Sequence, residues 1–269
     1  MALNRLKEKF SRGEVAFGLG VTIPDPTLVY TLSQVGYDFF FLDMEHGPVG
    51  LWNLPMFLVA LKASETEAVV RVPWNDFVMV KQVLDLGVYN LVFPMINDAE
   101  AARRAVEATR YPPDGIRGCG PWMAALDVGC AEYISRANEE IGVFVQIERV
   151  QAAERIEEIL SVEGVTGTYC GPSDMSLSLG MLPDPDHPDI VSRFEKVMDV
   201  CREHGKVGGI AAGTPSRARF WVGRGARLVV VGSDRGLLLE EAREALAAAR
   251  GTCKKAKSAQ GFGFHEGPN

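Results

Sequence analysis

No two cysteines in this chain stand at C-x-x-C spacing, and Cys119, Cys130, Cys170, Cys201 and Cys253 make an odd number. A disulfide framework and a cysteine zinc knuckle are both disfavoured, and a reducing compartment is expected. No stretch approaches the roughly 20 apolar residues that cross a bilayer. The opening MALNRLKEKFSRGE mixes charge with isolated apolar residues where a leader would carry an apolar run and a small-residue cleavage site. Positive charge is also short: 28 Lys and Arg stand against 35 Asp and Glu, for a formal net charge of −7. Such a chain has no basic field to attract nucleic acid or anionic lipid. The expectation is a cytoplasmic protein without nucleic-acid or membrane partners.

What is present is enough apolar sequence for one large core, 47% of 269 residues. Short apolar runs without polar alternation recur at Val15–Gly20, Asp38–Asp43, Ala68–Val72, Asn90–Pro94, Gly142–Glu148, Gly167–Cys170, Val207–Ala211 and Leu228–Gly232. Strands buried on both faces read this way. Between them lie segments of helical period, among them Asp25–Val35, Asp76–Leu86, Asp98–Thr109, Ala152–Leu160, Asp189–His204 and Pro215–Arg224. Pro24-Asp25-Pro26, Asn75-Asp76 and Asn97-Asp98 mark helix starts, and Gly36, Gly87, Gly205 and Gly225 mark helix ends. Strand then helix, repeated eight times, predicts an α/β fold of the closed (β/α)8 kind. One domain over residues 1–251 is expected, followed by a polar, Gly-rich tail, 252–269, that is flexible or docked on another subunit. From Tyr111 to Tyr133, Pro and Gly are too frequent for a helix. That segment is read as a loop over the active-site mouth.

In such a barrel the catalytic groups sit at the C-terminal strand ends. The second run ends in Asp43-Met44-Glu45-His46-Gly47, three titratable groups where packing needs none. The bland reading is an Asp that caps the next turn beside a surface His. Arg71, at the end of the third run, either pairs with an internal carboxylate or faces an anionic ligand. Alternation sends Gln146 and Glu148 to one face of the fifth run, and a carboxylate aimed into a barrel mouth needs a cation. Gly171-Pro172-Ser173-Asp174 makes a tight turn whose Ser173 and Asp174 amides suit an anion, while the Asp174 carboxylate can reach a metal. Its bland reading is a turn whose Asp caps a short helix at Ser176. Together, Glu148 and Asp174 offer two hard oxygen ligands to an octahedral Mg2+, Mn2+ or Co2+ with positions left for water or substrate. With Arg71 beside them, the site suits a small molecule bearing a carboxylate and a polarised carbonyl, and His46 is the natural general base for enolate chemistry. No lysine ends a run, which counts against a Schiff-base aldolase.

LDMEHGP at Leu42–Pro48, VVRVPWND at Val69–Asp76, QIE at Gln146–Glu148, GPSDMSLSLG at Gly171–Gly180 and RYPPDGIRG at Arg110–Gly118 resemble the HpcH/HpaI family of metal-dependent class II pyruvate aldolases. The likeness runs from about Phe10 to Arg250. It implies retro-aldol cleavage of a 4-hydroxy-2-oxo acid to pyruvate and an aldehyde. It also implies metal ligation by Glu148 and Asp174, enolate stabilisation by Arg71, and carboxylate binding by the Ser173 and Asp174 amides. His46 would be the base, oriented by Asp85 of the partner subunit. Asp43 and Glu45 match positions that hold metal-bound water, and Gln146 one close to the oxo acid. A hexamer, built as a trimer of dimers exchanging C-terminal helices, is the implied assembly. The chain departs from the family after Gly118, where an Ala-Arg-rich loop is replaced by Cys119–Gly129 without its positive charge. A neutral or apolar acceptor near Trp122 and Met123 is the corresponding expectation.

Three other readings stand beside this one. The same enolate could serve oxaloacetate decarboxylation or a citrate-synthase-like or specialised condensation. Ala211–Thr214 and Gly232-Ser233 follow the last two runs, where phosphate-handling barrels bind phosphate. The barrel could also be a binding or assembly subunit without catalysis. Trp52, Trp74 and Trp221 are read as packing, His187 and His204 as surface, and Cys170 as a small core residue.

Overall fold

A computed structural model describes residues 4–252. Eight strands, β1 (Ala16–Val21), β2 (Phe39–Asp43), β3 (Glu67–Arg71), β4 (Asn90–Phe93), β5 (Gly142–Ile147), β6 (Gly167–Cys170), β7 (Gly208–Ala211) and β8 (Ala226–Ser233), pair in parallel in chain order. They close as a barrel through the β1–β8 seam, where Ala16 lies opposite Leu228. The fold is a (β/α)8 barrel. The helices between strands are α2 (Pro26–Ser33), α3 (Leu54–Leu61), α4 (Phe77–Asp85), α5 (Ala99–Thr109), α6 (Cys130–Glu140), α7 (Val150–Glu154), α8 (Ile156–Leu160), α9 (Pro172–Ser178), α10 (Pro188–Glu203) and α11 (Pro215–Val222). The flanking pair is α1 (Arg5–Ser11) and α12 (Asp234–Ala249). All but Thr252 of the expected tail, Cys253 included, lies outside the described residues.

Strand register divides the core in two. Phe39, Phe41, Val69, Val92, Phe144, Tyr169, Leu228 and Val230 fill the barrel interior, while Phe40, Leu42, Val70, Phe93, Val143 and Val145 face the helices. Leu6 and Phe10 of α1 join the inner set, with the Phe10 ring edge-on to Phe144 at 6.2 Å. The N-terminal end of the barrel is therefore plugged. Polar chemistry is left to the opposite mouth.

The helix starts behave as their side chains dictate. Asp25, Asp76 and Asp98 each accept backbone N–H groups of the turn they open. Gly36 and Gly87 end α2 and α4 at φ 97 and 99, conformations open to glycine.

Four expectations are corrected. The helical segment Ala152–Leu160 is two short helices broken at Arg155. Of the three tryptophans read as packing, Trp221 is buried, but Trp52 and Trp74 are 75% and 57% exposed. The last part of the Tyr111–Tyr133 segment is helical, because α6 begins at Cys130. The remainder does not cover the mouth of its own barrel. It leads from the end of α5 through α6 into β5, and a helix-to-strand return of this kind runs at the N-terminal end of the barrel. Met123 and Ala124 both donate to the Asp85 carbonyl at the end of α4, and Asp127 pairs with Lys62 after α3. Trp122 and Met123 thus lie opposite the mouth.

Candidate active site

The second strand delivers its acidic cluster to the rim. Asp43 is paired in register with Arg71 of β3. Its Oδ1 accepts Arg71 Nε at 2.8 Å and its Oδ2 accepts Nη2 at 2.5 Å, a two-pronged grip that suits the guanidinium fork. Oδ1 also accepts the amides of Glu45 and His46, so Asp43 caps its own turn as the bland reading supposed. Burial alone would raise the Asp43 carboxyl, but the bonds and charge of Arg71 with those amides hold it below the usual value. Arg71 therefore meets a carboxylate and still presents Nη1 to the mouth, 3.0 Å from Glu45 Oε2 and 3.4 Å from Gln146 Oε1. Glu45 Oε2 is buried and lies near Nη1 without the alignment of a hydrogen bond.

Glu148, just past β5, is 3% exposed. Gln146 Nε2 donates to its Oε2, and the Met95 amide donates to its Oε1 at 2.6 Å. Met95 follows β4 at φ 57, a left-handed conformation that a non-glycine residue adopts at a cost. Asp174 occupies the first turn of α9, whose N-cap is Gly171, so it lies inside the helix instead of capping it. No described group accepts the amides of Ser173 and Asp174. A methyl group on Gly171 would sit 3.2 Å from Glu148 Cβ and 3.4 Å from Gln146 Nε2, so only glycine leaves both side chains where they are.

Charge at the mouth is unbalanced. Asp43, Glu45, Glu148 and Asp174 place four carboxylates around one guanidinium. Burial raises Glu148, and the neighbouring Asp174 charge raises it further. Burial, reinforced by Glu148 against the pull of Arg71, pushes Glu45 up to about 6. This surplus of buried negative charge, on hard oxygen donors, fits a divalent cation held by Glu148 and Asp174. Among the described residues no group of three or more His, Cys, Asp or Glu forms a metal cage, so such an ion would keep most of its positions for water or substrate.

The other expected residues divide. His46 is exposed at the rim, 3.8 Å from Glu45 Oε2. Asp85 ends α4 at the far end of the same barrel, where it accepts Arg117 Nη2 at 2.9 Å, so within one chain it does not meet His46. Among the described residues no strand ends in lysine. The segments after β7 and β8 have part of their polar groups engaged within the fold. Ala212 and Gly213 donate to the Val230 carbonyl, and Asp234 places a buried carboxylate over the first turn of α12. Cys170 is buried with its thiol pushed up by burial, as a core residue is.

Three residues at or beside the mouth escape sequence reasoning. Met95 acts through a backbone amide, which leaves no residue-type signal. Tyr169 and Asp234 do leave one, a polar residue beside an apolar run. The Asp234 carboxylate accepts Thr22 N, Thr22 Oγ1, Ile23 N and Arg235 N, pinning the loop after β1 to the start of α12.

In an eight-stranded α/β barrel, charged groups gathered at the C-terminal mouth stand where barrel enzymes carry their active sites. Residues 17–240 match the family described as HpcH/HpaI aldolase/citrate lyase, and the chain belongs to that family of carbon–carbon lyases. The 5-keto-4-deoxy-D-glucarate aldolase of Shigella dysenteriae serotype 1 (strain Sd197) is 37% identical over 235 residues, covering 87% of this chain and 92% of that protein. A crystal structure of an HpcH/HpaI aldolase/citrate lyase family protein from Burkholderia cenocepacia J2315 superposes with a TM-score of 0.87 at 34% identity, over 92% of this chain and 99% of that one. The citrate synthase SbnG superposes with a TM-score of 0.83 at 27% identity, over 93% and 98%.

Proposed function

We propose that this chain is a divalent-metal-dependent class II aldolase that reversibly cleaves a 4-hydroxy-2-oxo acid into pyruvate and an aldehyde. The observation that carries this reading is the meeting of Glu148, Asp174 and Arg71 at one mouth with an excess of negative charge. A bound Mg2+, Mn2+ or Co2+ would supply Lewis acidity to the 2-oxo group. Gln146 and the Met95 amide keep the Glu148 carboxylate turned toward the mouth. Arg71 Nη1 holds the oxo-acid oxygen and the charge that develops on it as the C3–C4 bond breaks. The Ser173 and Asp174 amides receive the carboxylate. His46 takes the C4 hydroxyl proton as the aldehyde leaves, and the enolate is then protonated at C3 to give pyruvate.

The site is read as completed in a homo-oligomer, a hexamer arranged as a trimer of dimers, with Asp85 of the partner subunit orienting His46. Supporting this, α12 buries only Asp234 and leaves Leu237, Leu238, Leu239 and Leu246 between 41% and 51% exposed, as a helix docked on a second copy would. No helix among the described residues is long and apolar enough to cross a membrane, and the free thiols of Cys170 and Cys201 suit a cytoplasmic setting.

The test is pyruvate release from a panel of 4-hydroxy-2-oxo acids by Mn2+-loaded protein, parent and Glu148→Gln. Release that chelation and the substitution both abolish is expected. No release from any member, with oxaloacetate consumed instead, would replace the aldolase with the decarboxylation reading or with the condensation reading, of which the likeness to a citrate synthase favours the second.

A further inference from the structure

Tyr169 takes no part in the chemistry described so far. It lies on the inner face of β6, in register with Gln146 and two residues before Gly171. Its ring stacks on Phe41 at 4.8 Å with 13° between planes, and the Arg71 guanidinium lies over that same Phe41 ring at 5.6 Å. The stacked pair is the floor of the mouth, directly beneath the group that meets the oxo acid. Tyr169 is only 4% exposed, and its hydroxyl, which bonds to no described residue, is not sealed from solvent. Phenylalanine would make the same stack, so the packing of the floor does not call for the hydroxyl that Tyr169 presents there.

We infer that the Tyr169 hydroxyl is a further substrate-binding group, donating to an oxygen of the oxo acid that Arg71 holds. This rests on the oxo-acid reading above. Burial, against the pull of Arg71, keeps the phenol protonated through neutral pH, so it carries a hydrogen to donate. A donor rising from an apolar floor also favours a planar, oxygen-rich substrate end over an apolar one, because water is excluded from the stacked faces. The buried polar atoms without partners near aromatic rings, Arg117 Nη1 and the Tyr111 hydroxyl, lie with Asp85 at the opposite end.

The experiment titrates oxalate, a planar dianion shaped like pyruvate enolate, calorimetrically into Mn2+-loaded parent and Tyr169→Phe, with thermal melts alongside. The expected result is about tenfold weaker oxalate binding by the variant, a similar rise in KM with kcat nearly kept, and an unchanged melting temperature. Equal oxalate affinity in the two proteins would overturn the inference and leave the aldolase reading standing. A parent that binds no oxalate would overturn both. Should the variant melt early, the parent's tyrosine absorbance decides: a difference spectrum on adding oxalate, missing from the variant, supports the contact, and a parent without one refutes it.

Discussion

Gly171→Ala is expected to disable the site while leaving the barrel intact. The backbone at Gly171, φ −104 and ψ 92, is open to alanine, so the substitution brings no conformational strain. Its methyl group would stand 3.2 Å from Glu148 Cβ, 3.4 Å from Gln146 Nε2 and 3.6 Å from Glu148 Oε2. Comfortable carbon contacts begin near 3.5 Å, so Glu148 and Gln146 must yield by a few tenths of an ångström. Crowding costs about 1 kcal/mol, and the stiffer unfolded chain returns roughly 0.4–1 kcal/mol. Net stability should stay within about 1 kcal/mol of the parent, a shift of roughly 2–4 °C at most. Activity is more sensitive, since a misplacement of about 1 Å can cost 100-fold. A loss of about tenfold in kcat/KM is expected, together with weaker Mn2+ binding. Calorimetric Mn2+ titration, pyruvate-release kinetics and a thermal melt measure all three. A variant matching the parent within about twofold in both Mn2+ affinity and kcat/KM would refute the claim that Glu148 must stand where Gly171 lets it.

Arg71→Lys keeps the charge and loses the fork that grips both Asp43 oxygens, so activity should fall by about 100-fold or more while much of the fold's stability is retained; kinetics beside a melt check this, and full activity would refute it. Asp234→Ala removes four donors' common acceptor and should destabilise the protein by about 3 kcal/mol in denaturant titrations, whereas a surface residue would cost nothing measurable. Glu67, on the inner face of β3, has its carboxyl raised above 4.5 by burial. The folded state then holds a proton that the unfolded state has released, so the carboxyl's contribution falls as pH climbs from 4.5 through the raised value. Glu67→Gln should accordingly gain melting temperature over the parent at pH 7 to 8 and lose that advantage below about pH 4.5. A difference independent of pH would contradict this.

The barrel was legible because strands covered on both faces need no polar alternation, and runs such as FFFLD and GVFVQI stand out against Asp-started helices. The helices that escaped have physical reasons. LPMFLVAL in α3 is apolar all round and shows no face, and α9 is a seven-residue helix hidden behind a Gly-Pro turn. The Cys119–Gly129 loop lies at the far end of its own barrel, because its position after a helix dictates that end whatever its irregularity suggests. At the site, residues that carry charge at strand ends could be found one by one. How they pair could not, because Asp43 and Arg71 come together only through the β2–β3 register. The Met95 amide was invisible for a related reason: every residue type carries a backbone N–H, and only the path of the chain after β4 brings this one to Glu148.

The most direct test of the central claim is proton exchange at the pyruvate methyl group in deuterated water, followed with metal-stripped and Mn2+-loaded protein beside an Arg71→Ala control. Exchange that requires both the metal and Arg71 is the predicted result, since it needs only the enolate half of the reaction and no knowledge of the aldehyde. Absence of exchange in the Mn2+-loaded parent, or exchange undiminished in Arg71→Ala, would contradict the account.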